Sequence, residues 1–99
     1  MKHELVITDI RLKIKAGGNM KAICTIIMND LLAINDIRVI ENRYRQLLVA
    51  MPSKKMYNGS FKDMANPVNP EARRIIEEAV LGEYNKQIAL NEDLFELIE

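Results

Sequence analysis

Polar and apolar residues alternate along the first half of the chain, and the alternation then stops. Ile10, Leu12 and Ile14 fall on one side of an extended segment and Arg11, Lys13 and Lys15 on the other, so residues 5–15 predict a strand with one solvated face. Ala16-Gly17-Gly18-Asn19 is a turn cluster of the kind that joins hairpin strands. Residues 20–28 (MKAICTIIM) predict a second strand, apolar on both faces, with Met20, Ala22, Cys24 and Ile26 on one and Ile23 and Ile27 on the other. Asn29-Asp30 marks the next turn. Residues 31–41 and 46–51 predict strands three and four, split by the polar stretch Asn42-Arg43-Tyr44-Arg45.

Pro52 ends this pattern, because proline has no N–H to give a strand ladder. Residues 52–69 have little periodicity, with Asn58-Gly59 as a turn, and long aperiodic stretches in small domains often carry function. Asn69-Pro70-Glu71 then predicts a helix start: Asn as N-cap, Pro at the first helical position, an acid in the first turn. Ala72, Ile75, Ile76, Ala79 and Val80 form an apolar stripe that runs to about Tyr84. A second, weaker amphipathic piece spans residues 91–98, with Leu94, Phe95, Leu97 and Ile98.

The sum is an α+β fold: an antiparallel sheet of about four to five strands and one C-terminal helix. Residues 1–86 form the domain and residues 87–99 an acidic tail. A helix of about 16 residues is about 24 Å long and covers one sheet face. Strand two is apolar on both faces, so the second face needs its own cover. A symmetry mate is the economical answer, since twofold pairs are the commonest oligomers. The segment 91–98 is the rival. The chain's 99 residues allow one core only, and a chain of this size buries about 60–65% of its unfolded surface, which also favours self-association through the sheet.

The net charge is zero, but by cancellation. Residues 1–64 carry 11 Lys/Arg against 6 Asp/Glu (+5), and residues 65–99 carry 3 against 8 (−5). Fields act locally, so the basic part can attract a polyanion despite the neutral total. The apolar runs are of strand length and no basic segment precedes an apolar one at the start, so neither a membrane span nor a secretory leader is expected. With Cys24 the single cysteine, no internal disulfide forms and a cytoplasmic location is expected.

Catalytic chemistry finds little support. His3 is the one histidine and sits at the terminus; Cys24 lies mid-strand among apolar residues; Asp9 and Asp36 are isolated. Gly17-Gly18 lacks the spacing of a phosphate loop, and no His/Cys/Asp/Glu cluster has metal-ligand spacing, so no catalytic, cofactor or metal site is expected. The basic residues carry more. Lys54, Lys55 and Lys62 lie in the aperiodic stretch with Tyr57 and Phe61 beside them. Arg73 and Arg74 occupy the first turns of the helix, where the dipole already favours anions over cations. Two readings stand: phosphate docks among these groups, or the lysines are a solvated loop tip and the arginines pair with Glu77 and Glu78 at i+4. Met51, Met56 and Met64 are expected to fill the core.

Several blocks in order carry a more specific signal. Met20-Lys21-Ala22-Ile23, Asn35-Asp36-Ile37-Arg38-Val39-Ile40, Val49-Ala50-Met51-Pro52-Ser53-Lys54-Lys55, Gly59-Ser60-Phe61-Lys62-Asp63 and Asn66-Pro67-Val68-Asn69, with the helix end Ala79-Val80-Leu81-Gly82-Glu83-Tyr84, resemble the stage V sporulation protein G family of septation regulators over about residues 6–85. The resemblance implies an α+β fold, a cytoplasmic homodimer built through the sheet, and a regulator that binds DNA and RNA. It places nucleic-acid contact on Lys54 and Lys55. The family usually has His where this chain has Asn35 and Asn66, and Arg is common at Lys55, where lysine gives up bidentate geometry.

Two functions follow as expectations. The first is a homodimeric nucleic-acid-binding regulator gripping phosphates through Lys54, Lys55, Lys62, Arg73 and Arg74. The second is an adaptor whose acidic, apolar-spotted residues 87–99 dock on a protein partner.

Overall fold

The computed structural model describes the backbone of residues 5–15 and 17–98 and the side chains of residues 5–15 and 17–91. His3 lies outside the described residues. Four strands form one antiparallel meander in the order β1-β2-β3-β4: β1 (Ile7–Ile14), β2 (Met20–Met28), β3 (Leu32–Glu41) and β4 (Leu47–Ala50). The turns take the backbone their residues suit. Gly17 and Gly18 have positive φ, as do Asn29 and Asp30 between β2 and β3. In the β3–β4 turn the Asn42 side chain accepts hydrogen bonds from the backbone N–H groups of Tyr44 and Gln46, both at 2.9 Å.

Two of the three register shifts in the sheet set which side chains face inward. Ile26 pairs with Ile34 and Cys24 with Ile37, so Asn35 and Asp36 together oppose Thr25. Asp36 absorbs the extra residue with φ 63°, and the Thr25 hydroxyl donates to Asn35 Oδ1 at 2.9 Å. Without that insertion Ile34 and Ile37 would point to opposite faces; with it both face the core. A second bulge at Thr8 does the same for Ile7 and Ile10. Thr8 is held on both sides, its hydroxyl donating to the Ile27 carbonyl and accepting from Asp30 N–H.

The helix α1 (Pro70–Ile98) starts as the sequence predicts: Asn69 Oδ1 accepts from the Ala72 N–H at 2.8 Å, capping the first turn. It packs on β1 and β4. Ile76 and Val80 close a core with Ala22, Cys24, Ile26, Ile37, Val39 and Met51. Full burial of side chains such as Ile26, Ile37 and Val80 is worth about 1.5–3 kcal/mol each.

Three expectations change. The helix does not end near Tyr84 but runs to Ile98, so residues 91–98 continue α1 rather than forming a separate piece. After Gly82 no Gly or Pro interrupts it, Gln87 donates to Glu83 at 3.1 Å one turn back, and Ile88 extends the row of Ile76, Val80 and Tyr84 at i+4 spacing. Residues 52–69 are not a bare loop, since they contain a hairpin of β5 (Ser53–Lys55) and β6 (Phe61–Asp63). Of the three methionines, Met51 fills the core, whereas Met56 and Met64 are exposed. No helix among the described residues is long and apolar enough to cross a membrane.

Candidate nucleic-acid interface

The β5–β6 hairpin projects from the end of β4 on a short tether. Met51 is anchored in the core, the Pro52 carbonyl accepts from Met64 N–H at 2.7 Å, and Arg38 of β3 donates to the Ser53 hydroxyl at 3.4 Å. The connection between the strands is closed by Gly59 N–H to the Met56 carbonyl at 3.0 Å and by Met56 N–H to the Ser60 carbonyl at 2.7 Å. Gly59 takes φ 85°, a backbone that favours glycine. Asn58 Oδ1 accepts from both the backbone and the hydroxyl of Ser60, which stiffens the tip.

The register of this hairpin decides the electrostatics. Ser53 pairs with Asp63, Lys54 with Lys62, and Lys55 with Phe61. Lys54 and Lys62 therefore share one face, directly opposite each other. Like charges in that arrangement are destabilising, on a two-stranded element that is marginal by itself. No carboxylate lies within ion-pairing distance of Lys54, Lys55 or Lys62 among the described residues. On this side an open concavity of about 630 Å³ is lined by Lys54, Lys55, Met56, Tyr57, Lys62, Asp63 and Met64.

The other predicted site residues behave differently. Arg73 pairs with Glu77 at 3.4 Å and Arg74 with Glu78 at 3.0 Å. These are the i+4 pairs of the solvated alternative, and both arginines border a separate groove on α1 with Pro70 and Gly82. The structure thus groups the three lysines on one element and sets the two arginines on another.

Arg38 is the residue that sequence reasoning passed over. It lies in a row across the sheet face turned away from the core, Lys13–Ile23–Arg38–Ala50 from β1 to β4, and it borders a concavity shared with Ile23, Asp36, Ser53 and Phe61. The signal was present as a charge between Ile37 and Val39, both buried, which marks the outward side of β3. Arg11, also outward, pairs with Asp9 at 3.2 Å. No group of three or more His, Cys, Asp or Glu among the described residues could hold a metal ion. Cys24 is buried, and burial first, then the Glu83 carboxylate, push its thiol up to about 11.

Comparison with known proteins bears on the same residues. A family model described as SpoVG matches residues 5–86, a span that takes in the whole sheet, the hairpin and the first half of α1. The chain belongs to the SpoVG family. It is 47% identical over 81 residues to a protein of Clostridium kluyveri named "Putative septation protein SpoVG", an alignment covering 81% of this chain and 83% of that one. The protein of that name from Geobacillus thermodenitrificans is 43% identical over 91 residues, covering 91% of this chain and 94% of the relative. One from Clostridium perfringens strain 13 is 47% identical over 81 residues. The resemblance read from the sequence blocks and the α+β fold it implied are therefore both met in this SpoVG-family chain.

Proposed function

We propose that this protein is a homodimeric regulator that binds DNA and RNA through the β5–β6 hairpin and acts in septation or in sporulation-linked gene expression. The observation that carries the reading is the register of Lys54 opposite Lys62, with Lys55 adjacent and no carboxylate in ion-pairing reach among the described residues. Folding gains nothing from that juxtaposition; a bound polyanion removes its repulsion. The family's naming for septation supplies the process. Backbone phosphates are the main targets, because lysine offers a point charge rather than a bidentate fork.

The test is a duplex bound across a salt series, followed by fluorescence anisotropy, with Lys54→Ala/Lys55→Ala beside the unmodified protein. Both side chains are exposed, so thermal stability should change by no more than about 0.5 kcal/mol. Each phosphate contact contributes about 0.9 to the slope of log K against log salt, so four lysines in a dimer flatten it by about 3.6, or about 1.8 if one protomer engages. An unchanged slope in a folded variant would sink the assignment of these lysines.

A further inference from the structure

Beside the lysines sits a group that phosphate binding does not use. Tyr57 occupies the turn between β5 and β6, and its side chain is fully exposed. Met56 is exposed next to it, Met64 is exposed at the base of the hairpin opposite Pro52, and all three line the same concavity as Lys54 and Lys62. An aromatic ring and a methionine exposed side by side, on a concavity that a second methionine also lines, form an apolar patch of the kind that marks a binding site. The other exposed turn tyrosine, Tyr44, is different: the Arg43 guanidinium lies over its ring at 4.9 Å from the centroid.

We infer that the concavity of the β5–β6 hairpin takes an unpaired nucleobase, stacked on Tyr57 beside Met56, while Lys54 and Lys62 hold the flanking phosphates, so the protein prefers single-stranded over duplex nucleic acid. The inference rests on the nucleic-acid reading above and deepens it by naming the form of the ligand. Three features favour this occupant. The concavity joins an apolar floor to paired cations, which matches a base joined to its phosphates and matches neither a purely apolar nor a purely anionic partner. A base within a duplex has both faces stacked and offers the ring nothing, whereas every unpaired base has a free π-face, so recognition tolerates sequence. The turn is also braced, by the Asn58–Ser60 bonds and by Gly59 N–H to Met56, so Tyr57 is presented on a stiff element and loses little freedom on binding.

The experiment compares an oligothymidine strand, an oligouridine strand and a duplex of equal length by anisotropy, using the unmodified protein, Tyr57→Ala, Tyr57→Phe, and Tyr44→Ala as a control. Stacking lost from one base weakens single-strand binding about 5- to 150-fold in Tyr57→Ala. Tyr57→Phe and Tyr44→Ala retain it, and duplex affinity stays within about twofold throughout. Because the chain has no Trp, Tyr57→Trp adds a single reporter whose fluorescence is quenched on adding either single strand. Equal oligothymidine and oligouridine binding means the base face alone is used; a preference for one identifies which single strand the groove takes. Salt-dependent binding that is the same for strand and duplex, or is unmoved by Tyr57→Ala, overturns the stacking inference and leaves the phosphate reading standing. No binding to any of the three overturns both.

Discussion

Asp36 and Cys24 each do something at the level of one residue that their neighbours in sequence do not announce. Asp36 bends into the left-handed region so that Ile34 and Ile37 share a face, a conformation that Asp and Asn tolerate better than most L-residues. Cys24 packs in the core beneath α1, and burial with the Glu83 carboxylate raises its thiol from 9.0 to about 11. Between those values the unfolded chain gives up the thiol proton while the folded chain keeps it, so stability falls as pH rises through that window. Relative to Cys24→Ala, the protein should lose about 2 kcal/mol of unfolding free energy between pH 8.5 and 10.5. Urea titrations of both at the two pH values measure this, and a constant difference between them would contradict it.

At the scale of elements, α1 holds one visible weakness. Gly82 is exposed, and a Cβ placed there would meet nothing within 4 Å. Gly82→Ala should therefore stabilise the fold by about 1 kcal/mol, raising Tm by about 4–8 °C. A fall in Tm would mean that another surface approaches the helix at that position. The strands were legible because their alternation is regular: residues 20–28 coincide with β2, and Pro52 does end β4's run. The hairpin was not legible. Strands of three residues are too short to show a period of two, and all the side chains of β6 are exposed, so no apolar pattern marks them. The helix end was misjudged because Asn85-Lys86-Gln87 interrupts the stripe, although Ile88 resumes it on the same face.

For the whole molecule, the distribution of helix over sheet among the described residues leaves one face open. Ile23, Ile27 and Ile40 are only half-buried there, and Leu48 is exposed beside them. A second copy seated on this face would bury that row, so light scattering at micromolar concentration should report about twice the 11.4 kDa of one chain, and Ile27→Glu should return it to the monomer mass. A monomer in the unmodified protein would remove the sheet-to-sheet dimer. The sequence by itself determined the meander, the place of the helix and the presence of a basic stretch after Pro52, since these follow from alternation, capping and composition, all of which are local. The tertiary structure alone decided which face each apolar residue serves, because one inserted residue at Asp36 or Thr8 reverses a strand's parity without altering its composition. It also decided that Lys54 meets Lys62 while Arg73 and Arg74 turn to their own glutamates. Charges far apart in sequence interact only when register and packing bring them within a few ångströms, and register is a property of paired strands, not of either one alone.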